Sequence, residues 1–331
     1  MKAMIMAAGV GARLMPMTTY IPKPMIPMAN RPLMANTVQL LAEHGFRSII
    51  ANLHCHTDYI SNYFGDGQAF GVSMDYSREE ELMGTAGGVK RCDWFLDETF
   101  VIISGDALTD IDLALLVKTH KRKGALATLA LKEVEDVEHF GIVICSDDGL
   151  IKSFQEKPRS EEALSRVANT GIYVFEPEIF KYIPAGQFYD FGKQVFPHLV
   201  KAGCPFYGVT VDDYWCDVGN IDRYRQANAD VLAGRVRVKT GGRLLSSKSG
   251  GRVLLGEGVQ VGKSVSFTGT VVIGSGCSIG DSVKISDSVI WNDTIIGDHS
   301  TIKGAVIGAD CKISSGVDIE MGAVIPSGSA L

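Results

Sequence analysis

A period of six residues in the last part of the chain constrains its folding more than any other feature. Val261, Phe267, Ile273, Ile279 and Ile285 fall six apart; the count slips by one, and Ile290, Ile296 and Ile302 keep the period. After a second slip, Ile307, Ile313, Ile319 and Ile325 complete the tract. A fixed short repeat with one inward aliphatic is the signature of a parallel β-helix, in which each repeat contacts only its neighbours. The aliphatic residues are expected to stack along the interior. Gly often follows them, as at Gly262, Gly274, Gly280, Gly297 and Gly308, where a small residue lets the chain turn a corner.

The tract resembles the hexapeptide-repeat left-handed β-helix family, and the left hand is what that resemblance implies. Such a helix can host an acyltransferase, but those sites recruit a catalytic His. The tract offers His299 alone, which reads as solvent-facing. The tract reads instead as structural, suited to subunit association, so a homo-oligomer is expected.

Upstream the pattern is different. Met4–Ala8, Ser48–Leu53, Val101–Ser104, Ala125–Leu131 and Ile172–Phe175 read as buried strands, and Asn36–His44, Leu113–Lys121 and Ile221–Leu232 carry helical spacing. Leu113, Leu116, Val117 and His120 share one helical face. Alternation of this kind predicts an α/β, Rossmann-like, mostly parallel sheet, with ligands beyond the carboxyl ends of its strands. The expected division is residues 1–234 for this domain, a Gly/Ser/Lys-rich linker over 235–251, and the β-helix over 252–331. A chain of 331 residues is comfortable for two domains. Its net charge of -6 argues against nucleic acid as the main partner. No apolar run approaches the roughly 20 residues of a membrane span. Seven scattered cysteines without a CxxC pair suggest reduced thiols in a cytoplasm.

The chemistry concentrates early. Ala7-Ala8-Gly9-Val10-Gly11-Ala12-Arg13-Leu14 follows the first strand. Gly9 and Gly11 let backbone N–H groups approach an anion, and Arg13 adds a fixed positive charge. A dinucleotide loop wants a third glycine where Leu14 stands, and a plain tight turn remains open on these residues alone. Ten residues on, Pro22 and Pro24 clamp the backbone around Lys23, a stiffening that a solvated lysine does not need.

Gly-x-Gly-x-Arg-Leu-x-Pro-x-Thr followed by Pro-Lys-Pro resembles the signature of the sugar-nucleotide pyrophosphorylases, the enzymes that make GDP-mannose, ADP-glucose, UDP-glucose and dTDP-glucose. The likeness continues in order through Gly84-Thr85-Ala86-Gly87-Gly88, Ser104-Gly105-Asp106, Glu156-Lys157-Pro158, Asn169-Thr170-Gly171 and Trp215-Cys216-Asp217-Val218-Gly219. One departure is Ala12, where many relatives have Thr. A lone Asp after a strand is more often a helix cap. The matched pair Asp106 and Asp217, by resemblance, holds the Mg²⁺ that spans the phosphates, in keeping with that ion's preference for oxygen ligands. The resemblance assigns Ala8, Gly9, Gly11, Gly84 and Thr85 to the nucleotide. It assigns Lys157 to the sugar phosphate, Glu156 to sugar hydroxyls, and Gly141 and Asn169 to the same pocket. It implies that a sugar phosphate attacks the nucleoside triphosphate and pyrophosphate leaves.

The family reads the base about five positions before Gly84, which points to Glu79. A carboxylate accepts both the N1–H and N2 donors of guanine, whereas the carbonyl oxygens of uracil or thymine repel it. The run Arg78–Gly87 and Phe140-Gly141-Ile142-Val143 also resemble the GDP-mannose enzymes within the family, so GTP and mannose 1-phosphate are the expected substrates. ADP-, UDP- or dTDP-glucose chemistry is the alternative, and a catalytically silent nucleotide-sugar-binding relative is a reading of another class.

Overall fold

The computed structural model describes residues 1–246 and 251–331, grouped in two compact units: 1–10 with 37–215, and 11–36 with 216–331. Residues 247–250 of the expected linker lie outside the described residues.

The first unit is built on a nine-stranded sheet. Lys2–Met6 lies between Phe100–Ser104 and Ser48–Leu53, parallel to both, and Ser73–Arg78 extends that parallel edge. The apolar runs form these strands because both faces are covered; Met4, Ile5, Ile50 and Ile102 are fully buried. The other half departs from parallel order. Val167–Phe175 runs antiparallel to Phe100–Ser104 and Ala127–Glu133, and Gly141–Cys145 pairs antiparallel with Ile151–Glu156. Strand direction is set by the connections, which apolar runs alone do not reveal.

The helix Leu113–Lys123 is capped by Asp112, whose carboxylate accepts from the Leu115 amide at 3.0 Å, and ends at Gly124 in the left-handed region. His120, on its apolar face, is completely buried.

In the second unit, the six-residue period is a parallel β-helix. Phe267 pairs with Ile285 one coil on, Ile279 with Ile296, and Ile296 with Ile313. The slips in the period are local. The register shifts between Thr268 and Val271, so one corner of the next coil turns with one residue fewer. Eleven of the twelve repeat positions pack in or against the interior; Val261 is 42% exposed, because its strand pairs on one side only, with Ser278–Ile279. A second inward row sits two positions earlier, at Val271, Cys277, Val283, Ser288, Thr294, Ser300, Ala305 and Cys311, all fully buried. The corner glycines answer close stacking: a side chain at Gly297 would meet the Ser315 amide nitrogen at 2.5 Å.

Within the 235–251 stretch, Arg243–Ser246 forms a strand antiparallel to Arg252–Leu255. Helix Ile221–Leu232 packs on one face of the coil, against the strands that carry the outward residues Leu254, Val272 and Val289. Among the described residues no helix is long and apolar enough to cross a membrane.

Candidate functional site

In the second unit, three residues singled out from the sequence converge. Gly11 has a φ of 69°, and a side chain there would meet the Lys23 Cβ at 2.9 Å, so glycine lets the loop lie against that lysine. Thr18 fixes the turn by donating to the Gly11 carbonyl at 3.0 Å. The Lys23 ammonium, almost wholly buried, lies 3.3 Å from Asp217 Oδ1, and Arg13 Nη2 approaches Asp217 Oδ2 at 3.6 Å. Gly219 leaves the room; a Cβ there would fall 2.8 Å from Asp217 Oδ2 and 3.1 Å from Arg13 Nη1. Two cations thus share one carboxylate. Arg13 remains 59% exposed, open to an incoming anion.

In the first unit, Ala8, Gly9, Asp106, Glu156 and Lys157 stand at strand carboxyl ends, whereas Gly141 opens Gly141–Cys145 and Asn169 lies within Val167–Phe175. Lys2–Met6 delivers Ala8 and Gly9, and its neighbour Phe100–Ser104 delivers Asp106. Asp106 accepts from the Ser104 hydroxyl, and the Gly105 amide donates to the Met6 carbonyl at 2.9 Å. A buried network follows that the sequence reading missed. The Ala7 amide donates to Asn52 Oδ1 at 2.9 Å, and Asn52 Nδ2 donates to Glu79 Oε1 at 2.7 Å. Glu79 Oε2 accepts from the Met83 amide at 3.1 Å, just before Gly84. Glu79 is therefore buried with both oxygens engaged, tying the first loop to the second. The one hint of Asn52 in the sequence is an amide inside the otherwise apolar run Ser48–Leu53.

Gly84 and Thr85 open the short helix Gly84–Lys90. The Thr85 hydroxyl donates to Asp190 Oδ2 at 2.9 Å and accepts from the Phe191 amide, so its polar capacity serves the loop that carries Asp190.

Glu156 ends the strand Ile151–Glu156 and Lys157 follows with a φ of 50° and its ammonium 3.9 Å from Glu156 Oε1. Gly141 and Gly192 leave space for this carboxylate, since a Cβ at Gly141 would lie 3.1 Å from Glu156 Oε2. Burial holds the Glu156 carboxyl above its usual range; Lys157 pulls it down, Asp190 pushes it up and Lys193 pulls it down. Asn169 donates to the Tyr173 hydroxyl at 3.0 Å and accepts from the Gly171 amide. The first unit therefore brings Gly141, Glu156 and Lys157 together and adds Asp190, a residue that no sequence motif marked.

Among the described residues no three His, Cys, Asp or Glu side chains converge as a ligand cage. Asp106 and Asp217 are hard oxygen donors of the kind that suits Mg²⁺, an ion commonly held by one or two carboxylates plus substrate phosphates.

A family model described as "Nucleotidyl transferase" matches residues 2–234, and one described as "EIF2B subunit epsilon LbH domain" matches residues 238–331. The chain belongs to the nucleotidyl transferase family, with a left-handed β-helix following the sheet domain. It is 47% identical over 251 residues to a UTP–glucose-1-phosphate uridylyltransferase of Synechocystis, covering 72% of this chain and 65% of that relative. It is 30% identical over 320 residues to a mannose-1-phosphate guanylyltransferase of Mycobacterium tuberculosis, covering 96% of this chain and 82% of that one. A crystal structure from Bacillus anthracis, described as a glucose-1-phosphate thymidylyltransferase, shares the fold. Its TM-score is 0.64 at 26% identity, over 72% of this chain and 97% of the other.

Proposed function

We propose that this protein joins a sugar 1-phosphate to a nucleoside triphosphate and releases pyrophosphate. The observation that carries this reading is the convergence of Arg13 and Lys23 on Asp217. Two fixed cations beside one carboxylate suit a reaction that brings two phosphate-bearing anions together. A phosphate oxygen of the sugar phosphate forms the new bond to the α-phosphorus, and the bond from that phosphorus to the β-phosphate oxygen breaks. The attacking group is already an anion, so no protein nucleophile is required. Arg13 and Lys23 offset charge on the departing pyrophosphate. Lys157 holds the sugar phosphate, Glu156 and Asn169 take sugar hydroxyls beside Gly141, and Ala8, Gly9, Gly11, Gly84 and Thr85 frame the nucleotide. Asp106 and Asp217 would hold Mg²⁺, which supplies further neutralisation of phosphate charge when bound. The catalytic domain is read as residues 1–234 and the β-helix as 252–331. The setting is read as the cytoplasm, from seven scattered cysteines without a CxxC pair, and the assembly as a homo-oligomer.

GTP and mannose 1-phosphate are the proposed pair, supported by the mycobacterial relative and by the fit of a carboxylate to guanine. UTP and glucose 1-phosphate form a second reading, favoured by the Synechocystis relative and by Glu79, whose oxygens already accept from Asn52 and Met83. Pyrophosphate release over a grid of nucleoside triphosphates and hexose 1-phosphates, with Mg²⁺ and with chelator, tests both. Turnover with GTP and mannose 1-phosphate alone supports the first, and turnover with UTP and glucose 1-phosphate alone replaces it with the second. Tight nucleotide-sugar binding without turnover on any pair would instead make the chain a silent binding relative. Undiminished turnover in chelator would remove the metal.

A further inference from the structure

Lys23 and Asp217 share a compact unit with the β-helix, and a chain of buried hydrogen bonds runs from the coil to the Pro27 carbonyl, four residues past Lys23. Trp291, directly after the inward Ile290, is 4% exposed, and its indole N–H donates to the Tyr224 hydroxyl at 2.9 Å. Tyr224 in turn donates to the Pro27 carbonyl. Pro27 closes the segment in which the Met25 amide bonds the Pro22 carbonyl at 2.8 Å and the Ile26 amide bonds the Lys23 carbonyl at 3.2 Å, the turns that place Lys23. Tyr224 stands on helix Ile221–Leu232, whose cap, Asn220, follows Asp217 by three residues and accepts from the Arg223 amide at 2.8 Å.

Two further ties run alongside. Asn228, one turn on and fully buried, accepts from the Ala29 amide at 2.8 Å and donates to the Tyr224 carbonyl at 2.9 Å. Asn30 donates to the Ile273 carbonyl of the coil at 2.8 Å. Burial pushes the Tyr224 phenol far above its usual range, so it stays a donor throughout physiological pH. An apolar seam between helix and coil needs none of these groups. A buried indole N–H and a buried phenol are tolerated only where they find partners, and here the partner is the carbonyl next to the lysine segment.

We propose that Trp291 and Tyr224 are positioning residues, through which the β-helix holds the Pro22–Pro27 segment so that Lys23 meets Asp217. This rests on the proposed nucleotidyl transfer. Trp291→Phe keeps an aromatic ring and removes one donor; Tyr224→Phe removes both bonds. Each is expected to lower kcat about threefold to tenfold, the worth of one such hydrogen bond. Both KM values should stay within about twofold. Deuterium uptake by the amides of residues 23–30 should rise in step, and the double variant should be no slower than Tyr224→Phe alone.

Val306→Ala is the control: it removes buried volume from the coil without touching the hydrogen-bond chain, and should lower Tm while leaving kcat and uptake as they were. Wild-type uptake in both aromatic variants overturns the proposal. So does raised uptake with unchanged kcat, and so does a Val306→Ala variant that loses as much kcat as they do. If the unaltered chain turns over no substrate pair, the activity reading fails by itself, and the uptake measurement still supports or overturns the tether.

Discussion

Asp217 meets two cations in the protein as it stands, so its charge acts in opposite directions on binding and on turnover. Asp217→Asn keeps the shape and removes the negative charge that Arg13 and Lys23 face. Nucleotide affinity measured by titration calorimetry should hold or tighten, while kcat falls by about a hundredfold, the scale of losing one charge-stabilising group. Wild-type turnover in that variant would take Asp217 out of the machinery. Glu156 gives a second handle, because burial raises its carboxyl. A raised acid means that the folded state binds more protons than the unfolded one between the ordinary and raised values, so this group's contribution to stability falls as pH rises through that window. Glu156→Gln mimics the protonated form. Its Tm should therefore gain on wild type as pH climbs from acid to neutral, while the KM for the sugar phosphate rises about tenfold. A Tm difference independent of pH would mean that the Glu156 charge carries no folding cost. Arg13, Lys23 and Asp217 were legible in the sequence because prolines, glycines and a strand end mark them locally. Asn52 and Asp190 were not, since their roles come from partners far away in the chain, at Glu79 and Thr85.

At the scale of elements, apolar patterning located the elements more surely than their ends: the expected Asn36–His44 is the helix Leu33–Glu43, and the expected Met4–Ala8 is the strand Lys2–Met6. Ser48–Leu53 and Ile221–Leu232 end where the pattern places them, because the apolar face is needed along their whole length. The inward row of Cys277, Thr294 and Cys311 escaped notice, since small and polar residues do not stand out as core. Thr294 is accommodated by donating to the Gly308 carbonyl at 2.9 Å. Helix Leu113–Lys123 also carries a polar residue on its inward face, one that the helical spacing did place there. Its His120 bonds Thr128 Oγ1 at 2.9 Å and lies 3.1 Å from Glu176 Oε1, while Thr99 also donates to Glu176. Burial is the largest influence on this imidazole and lowers its pKa; Glu176 works against it and Lys121 with it. A lowered value means that the unfolded chain binds the extra proton first, so the stability contributed is present above the ordinary imidazole range and lost as pH falls below it. Thermal melts from neutral pH downward should show this loss in wild type and a shallower one in His120→Gln. Parallel slopes would place the acid sensitivity elsewhere.

For the whole molecule, the informative fact is which residues share a compact unit. The unit that carries the β-helix also carries residues 11–36, and with them Arg13 and Lys23. A division read along the chain does not reveal this, because coil and lysine loop are far apart in sequence and are joined through the side chains of Ile221–Leu232 and through Asn30. Cutting the chain after residue 234 would retain every candidate site residue and remove Leu254, Val272 and Val289 from beneath that helix. Each covered aliphatic contributes about 1.5–3 kcal/mol when buried. Tyr224, Ala227 and Val231 would face water, and Tyr224 would lose its indole donor. The truncated 1–234 chain should therefore show a lowered Tm and association by light scattering. Its residual kcat should be lower by at least about tenfold, since misplacement of a charged group by even a small distance is costly to turnover. A monodisperse 1–234 chain with full kcat would mean that the lysine loop holds itself in place and that the β-helix serves only to join subunits. Loss of kcat that precedes any loss of Tm, as the coil is shortened from its C-terminal end toward Trp291, would locate the dependence in the hydrogen-bond chain and not in the bulk of the covered face.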